Sequence, residues 1–407
     1  MTKYRNNHYV PEWYQKGFFL NDNKEKKFFY LDKHPEICNQ NGHVYKKNEI
    51  NRWGSISCFC TKDLYTTKFG NWESTDIEKI YFGNIDNKGK DANNFFSNFS
   101  HINFEPNFFL DFLRYLSVQK LRTPKGLKFL GSMINSNDKN KRLFALQQIQ
   151  DMYCAIWSES IWQIASAEAS ETKFIISDHP VTVYNRDLSP FHKECKGWRD
   201  PDITQNATHT LFPLNKEKIL ILTNLSWVRN PYSKSKLLRP NPTLFRDAVF
   251  NAQQIQVDRL LTDQEVNEIN YIIKMRAFRY LASPVKEWLY PEKKLKKLLW
   301  NQFGDGMLFM PDPRSVSFSE EIVIGYKRGR SEAYDAYGRK PFNKDYDDKD
   351  ASKRELNTFL VFKGEFARKF GPGRRGRSYE FGRLSPEQDS PTTHKYHLDL
   401  EKMKGKK

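Results

Sequence analysis

Apolar positions recur at helical spacing in several stretches and crowd into short runs elsewhere. Across 105–124, Phe108, Phe109, Phe112, Tyr115, Leu116 and Gln119 fall on one stripe, which predicts a helix. Pro124 disfavours helical geometry at Thr123, so this helix should end there. Ile77, Ile80 and Tyr81 follow Thr75 and Glu78, which have capping-box spacing, so a shorter helix should begin near Thr75. A polar, Asn-rich loop is expected at 83–94. Leu143, Leu146, Ile149, Tyr153, Ile156 and Trp157 predict a second long helix over about 141–168. A second capping box, Thr262 and Glu265, predicts a helix over 263–276 followed by a strand at 278–281.

The remaining apolar pieces are short and bounded by turn residues. Residues 1–70 read as strands and turns. KFIISDHPVTVYN, 173–185, reads as strand, turn and strand; 186–209 reads as a loop; LFPLNKEKILILTN, 211–224, reads as a hairpin. KEWLYPEKKLKKLLW, 286–300, is amphipathic and basic. EIVIGY, 321–326, and NTFLVF, 357–362, look like strands. Together these elements predict an α+β fold: a mixed helical core with short, mostly antiparallel strands. Gly, Pro, Arg and Asp rise after Gly304, so 1–304 is expected to form the main domain, 305–380 a small basic C-terminal α/β extension, and 381–407 a frayed tail.

Composition narrows the class. The chain has 407 residues, of which 38% are hydrophobic and 15% aromatic, enough to fill an interior, so global disorder is rejected. No apolar run reaches the roughly 18 residues that a membrane span needs, and no membrane partner is expected. The first residues lack the apolar core of a cleaved signal peptide. Five cysteines at irregular spacing do not suggest a disulfide framework, which favours a reduced, cytoplasmic setting. The net charge of +17 favours polyanionic partners, nucleic acid above all, although a basic average also serves solubility.

Five segments in this order resemble the family called domain of unknown function 4238. They are HYVPEWYQKGF at 8–18, DIEKIYFGNID at 76–86, LSVQKLRTP at 116–124, FIISDHPV at 174–181 and NEINYIIKMRAFRYLAS at 267–283. The resemblance spans roughly 8–283 and leaves out the last third. It implies candidate residues but no reaction; some members occur in settings that suggest bacterial antiviral defence.

The matched segments carry polar residues beside strongly apolar neighbours: His8, Glu78, Gln119, Arg122 and Asp178. Burying such groups costs several kcal/mol unless they are paired. Converging on one cavity, they would suit phosphodiester chemistry. Glu78 and Asp178 would hold a divalent ion, Mg or Mn; His8 would move a proton; Arg122 would neutralise a non-bridging oxygen. Each also has a structural reading. His8 would donate to a backbone carbonyl, Glu78 would complete a capping box, Gln119 and Arg122 would cap a helix end or pair with Glu78, and Asp178 would set an Asx turn before Pro180. The aromatic segment 9–20 should lie against the core and hold His8 near the Asp178 turn.

A second candidate is KGEFARKFGPGRRGRSYEFGR, 363–383. Arg368, Lys369, Arg374, Arg375 and Arg377 interleave with Phe366, Phe370, Tyr379 and Phe381, a pattern suited to phosphates and stacked bases of single strands. A solvated tail would look the same. KRGRSEAYDAYGRK, 327–340, is a weaker instance. Cys58-x-Cys60 lacks zinc-site spacing, and there is no P-loop, dinucleotide fingerprint or Gly-x-Ser-x-Gly elbow. Two functions are therefore expected. One is a metal-assisted nuclease or phosphodiesterase, acting as a defence toxin. The other is a non-catalytic protein that binds nucleic acid, a protein partner or a second copy through its basic C-terminal module.

Overall fold

The computed structural model describes residues 6–20, 25–40, 43–70, 72–103, 105–239, 250–318, 321–343, 346, 348–379 and 399. The expected tail at 381–407 lies outside the described residues, apart from Asp399. The strands that build the two larger sheets are β1 (Lys27–Asp32), β2 (Ile50–Gly54), β3 (Ser160–Ser166), β4 (Ile176–Ser177), β5 (Thr182–Asn185), β6 (Thr208–Pro213), β7 (Lys218–Asn224), β8 (Gln256–Leu260) and β9 (Tyr280–Ser283). The main helices are α1 (Gly83–Ser97), α2 (Pro106–Arg122), α3 (Pro124–Met133), α4 (Lys139–Ile149), α5 (Asp263–Arg276) and α6 (Lys349–Phe370). The fold is α+β, as the periodicity predicts.

One sheet has the order β4-β9-β1-β2 and is antiparallel throughout. The other has the order β5-β6-β7-β3-β8 and is antiparallel except where β8 runs parallel to β3. β4 and β5 belong to different sheets, so the four residues Asp178-His179-Pro180-Val181 carry the chain from one sheet to the other. That seam positions the site described below.

The expected anchor segment is seated. Tyr9, Val10, Tyr14 and Phe18 are buried in the main core, and Tyr14 donates its hydroxyl to the Pro213 carbonyl at 2.7 Å. α2 ends at Arg122 with Thr123 extended, as Pro124 requires. Pro124 then opens α3 at once, because a proline suits the first helical position and Thr123 caps it by accepting from the Gly126 N–H at 3.1 Å. The corner is tight: a Cβ on Gly126 would lie 2.3 Å from the Lys120 carbonyl oxygen. The second capping box, Thr262 with Glu265, forms as expected and opens α5.

Four expectations are overturned. Residues 83–94 are helical, not a loop. Gly89, Ala92, Asn93 and Phe96 make a buried stripe of mostly small residues, which lets α1 approach α2 while Asn84, Asn87, Lys88, Lys90, Asp91 and Asn94 face outward. The helix expected over 141–168 stops at Ile149, and after a short turn of helix at Cys154–Ser158 the chain becomes β3. β3 is the fourth of five strands and every residue in it is buried, so it lacks the alternation that marks a one-faced strand. The segment 357–362 is helical within α6, where Phe359, Phe362 and Phe366 fall on one buried face. The Thr75–Glu78 capping box does not form: Ile77–Phe82 is a π-helical turn without a side-chain cap.

Gly89 also yields a test. A Cβ there would meet the Tyr115 ring at 2.4 Å. Gly89→Leu should destabilise the protein by about 1–3 kcal/mol or more through overpacking, measured by urea unfolding. A variant as stable as the parent would mean that the two helices are not in contact.

Among the described residues after Gly304, α6 packs against the main domain. Phe359, Phe362 and Phe366 share a second apolar cluster with Ile161, Leu225, Trp227 and Val228. The hairpin Ile322–Gly325 with Ser331–Tyr334 precedes α6.

Candidate functional site

Two polar clusters flank the C-terminal end of α2. The first gathers three of the five expected residues. Arg122 is 1% exposed; it forks onto Asp86 at 2.9 and 2.8 Å and donates to the Gln119 amide oxygen at 2.9 Å. Gln119 donates its own amide to the Tyr9 carbonyl at 2.9 Å. Burial pushes the Glu78 carboxyl up to about 7, against the pull of Arg122 and with the push of Asp86. Asp86, the last residue of DIEKIYFGNID, was absent from the expected set although it is the main partner of Arg122. Arg122, Asp86 and Gln119 are matched to one another and to the Tyr9 carbonyl, so they fix how α1, α2 and the N-terminal segment meet.

The other two expected residues go elsewhere. His8 places Nε2 3.0 Å from the Ile56 carbonyl and Nδ1 3.9 Å from Glu12. Asp178 is fully buried, and its two oxygens accept the backbone N–H groups of Phe278, Arg279 and Tyr280 at 2.8, 2.6 and 2.8 Å. It thereby ties the inter-sheet turn to the connection between α5 and β9. Burial raises its carboxyl despite these three donors. The proposed metal pair does not fit a divalent ion. Asp178 has both oxygens engaged by amides, Glu78 faces Arg122, and among the described residues no three His, Cys, Asp or Glu side chains gather as a ligand set.

The second cluster was not foreseen, and it opens into a cavity of about 400 Å³. Lys120 follows Gln119 in sequence but points away from it, toward His179 and Asp200. Lys125, on the first turn of α3, donates to Asp200 Oδ1 at 2.5 Å and to the Arg276 carbonyl at 2.7 Å. His179 Nδ1 lies 2.7 Å from the Thr123 hydroxyl, and Nε2 lies 3.3 Å from Asp200 Oδ2. The network assigns the proton: Thr123 donates to Nδ1, and Nε2–H donates to Asp200. Lys120 Nζ is left with long contacts, 3.4 Å to the Val181 carbonyl and 3.5 Å to Asp200 Oδ2.

The electrostatics follow from burial. Burial and the neighbouring lysines push His179 down to about 3, so the ring is neutral. Burial alone would raise the Asp200 carboxyl, but Lys125, Lys120 and the His179 hydrogen bond hold it well below the usual range. Burial, helped by Lys125 and opposed by Asp200, lowers the Lys120 ammonium. The walls are mostly apolar, with Phe129, Tyr153, Trp198 and Ile203, and also carry the charged Glu194, Arg199 and Asp202. Thr123, His179 and Asp200 form a hydroxyl–imidazole–carboxylate chain, but the hydroxyl is fully buried and caps α3, so it is not placed to attack a substrate.

The inter-sheet turn, which lines this cavity with His179, lies inside the segment that a family model recognises. Residues 128–286 match the family described as protein of unknown function (DUF4238). The DUF4238 match includes Asp178, His179 and Asp200; it starts downstream of Lys120 and Lys125 and does not extend to the segments at 8–18, 76–86 and 116–124, where the resemblance was expected. No curated protein and no solved structure matches the chain.

The basic C-terminal candidates are mostly engaged. Arg375 pairs with Glu265 at 2.6 Å, its guanidinium lies 4.1 Å over the Phe370 ring, and burial with the repulsion of Arg259 lowers it to about 10. Lys369 donates to the Asp305 carbonyl at 3.0 Å. Arg377 forms a backbone bridge with Val257. Tyr379 lies 5.8 Å from the His101 ring. Arg374 is mostly covered, and Arg368 is exposed, 4.0 Å from Glu365. Phe366, expected as a stacking ring, is buried in the second cluster, and Phe381 lies outside the described residues. All five cysteines are free, and no helix among the described residues is long and apolar enough to cross a membrane.

Proposed function

We propose that the protein acts on a phosphate ester of nucleic acid at the Lys120–Lys125–His179–Asp200 cavity, as a phosphodiesterase or nuclease. One observation carries this reading: two buried lysines face a single carboxylate at the floor of an apolar-walled cavity. Buried charge wants a partner, and the missing partner is an anion. The volume lies within the range of small-ligand pockets. Trp198 and Phe129 offer faces for a base, while Lys120 and Lys125 meet the phosphate oxygens. Positioning and charge neutralisation supply most of the catalysis in phosphoryl chemistry, so this set of residues suits it. His179 and Asp200 hold the lysines in place. The basic balance of the whole chain would draw the substrate in.

The test is incubation of the purified protein with single- and double-stranded DNA and RNA, each with and without magnesium or manganese. Lys125→Met should lower cleavage at least a hundredfold, in the range seen when one group that stabilises transition-state charge is lost. Asp178→Asn should act mainly on stability, because Asp178 faces backbone amides rather than the cavity. Intact substrate under every condition, or unchanged cleavage by Lys125→Met, would end the reading. Growth arrest on expression that disappears in Lys125→Met would extend it to a toxin.

A further inference from the structure

We propose that a second cavity, where the first turns of α6 meet residues 335–339, binds a free α-amino acid, with Arg229 on its carboxylate and Glu355 on its ammonium. Six arginines are buried among the described residues. Five of them, Arg122, Arg239, Arg259, Arg276 and Arg314, donate to an oxygen at 3.1 Å or closer. Arg229, the sixth, is 3% exposed and reaches no described oxygen at such a distance. Its Nε has no partner, and Nη1 stays 3.6 Å from Glu355 Oε1. Two rings lie against the guanidinium, Phe318 at 4.4 Å and Tyr337 at 5.1 Å. They serve its flat face, whereas all five N–H donors lie in its plane. A buried guanidinium in that state is costly, and this one borders a cavity of about 170 Å³.

Lys349, Ser352 and Glu355, each three residues from the next on one face of α6, line this cavity together with Glu321, Asp335 and Arg339. Arg229, Arg339 and Lys349 balance Glu321, Asp335 and Glu355 in formal charge. Two of the carboxylates are already used inside the protein. Asp335 takes the Tyr337 N–H, the Arg339 N–H and the Arg339 guanidinium, and Glu321 takes the Tyr346 hydroxyl at 2.6 Å. Glu355 accepts the Tyr337 hydroxyl on Oε1, which leaves Oε2 for a further donor. A guanidinium and a carboxylate thus stand side by side, too far apart to satisfy each other. A lone anion on Arg229 would sit against Glu355, and a lone cation on Glu355 would sit against Arg229. An α-amino acid carries both charges on neighbouring atoms, so its carboxylate takes the guanidinium edge while its ammonium turns to Glu355. Lys349 and Ser352 add donors for the carboxylate. The volume falls below the roughly 300–1,000 Å³ of drug-sized pockets, which limits the occupant to a small side chain. The site shares no lining residue with the Lys120 cavity, so the inference stands apart from the phosphate-ester reading.

The experiment is titration calorimetry on the full chain, with glycine, L-alanine, acetate, methylammonium and inorganic phosphate as probes. Glycine or L-alanine should bind at one site per chain, and the three singly functional probes should bind at least about tenfold more weakly. Glu355→Gln keeps an acceptor for the Tyr337 hydroxyl and removes the charge that holds the ammonium, so it should weaken amino-acid binding at least about tenfold. Arg229→Met should abolish binding; if that variant does not fold, Glu355→Gln still decides. Acetate, methylammonium or phosphate binding as tightly as the amino acids would show that one charge suffices, and would overturn the inference. Unchanged amino-acid affinity in Glu355→Gln would place the ligand elsewhere and overturn it. Failure of both glycine and L-alanine to bind would mean that water alone serves Arg229, and would overturn it as well. None of these outcomes bears on cleavage at the Lys120 cavity.

Discussion

Asp86→Ala should cost about 3–5 kcal/mol of stability, because it leaves a fully buried guanidinium without its fork partner. Arg122 would keep only the Gln119 oxygen and the more distant Glu78 carboxyl. The loss should appear in urea unfolding as a lower midpoint at unchanged slope. Replacing both partners, Arg122→Met with Asp86→Leu, should recover much of the loss, since neither member of the fork is then left buried without the other. Glu78→Gln alone should change little, because that carboxyl is close to half-protonated at neutral pH. A loss below about 1 kcal/mol in Asp86→Ala would mean that water reaches the guanidinium and that the pair behaves like a surface ion pair.

A second large effect should come from His209→Asn, read across pH. His209 is buried on β6, and its Nδ1 lies 3.0 Å from the Thr223 hydroxyl. That hydroxyl already donates to the Phe309 carbonyl at 2.9 Å, so Nδ1–H is the donor to it. Burial, reinforced by the Arg186 charge, pushes the ring down to about 3. In the unfolded chain a histidine takes up a proton near pH 6.5. Between these values the unfolded state binds the extra proton, so the contribution of His209 falls as pH falls from about 6.5 toward 3. The slope is about 1.4 kcal/mol per pH unit. Asparagine keeps an N–H near the Nδ1 position and cannot titrate. The variant should be less stable than the parent at pH 7 through lost packing, and the gap should close by about 2 kcal/mol on going to pH 5. Measuring the difference between the two proteins cancels the opposite drift of buried acids such as Glu159, which burial raises to about 8. A gap independent of pH would show that the ring takes up its proton at the same pH in the folded and the unfolded chain.

The helices α2 and α5 were legible because their apolar residues keep a 3.6-residue period and their ends carry proline or a capping box. β3 was not, since a strand covered on both faces has no period to read. The candidate site was legible only in part. Gln119 and Arg122 stand out as polar among apolar neighbours, and they do meet. Lys120 shares that trait, but it looks like a surface lysine until α3 folds back over it. Asp178 and His179 are adjacent in sequence, yet the one faces backbone amides and the other the cavity, a split that no sequence pattern marks. Asp200 sits in a loop with no pattern at all, and only the folded chain brings it 75 residues back to Lys125.

The shared apolar cluster of α6 has a consequence for biosynthesis. Leu225, Trp227 and Val228 leave the ribosome about 140 residues before Phe366 can cover them. At usual elongation rates, that is on the order of ten seconds or more. During that interval the nascent chain carries a greasy, uncapped face, the kind of surface that holdase chaperones recognise, and premature termination before α6 would leave it permanently bare.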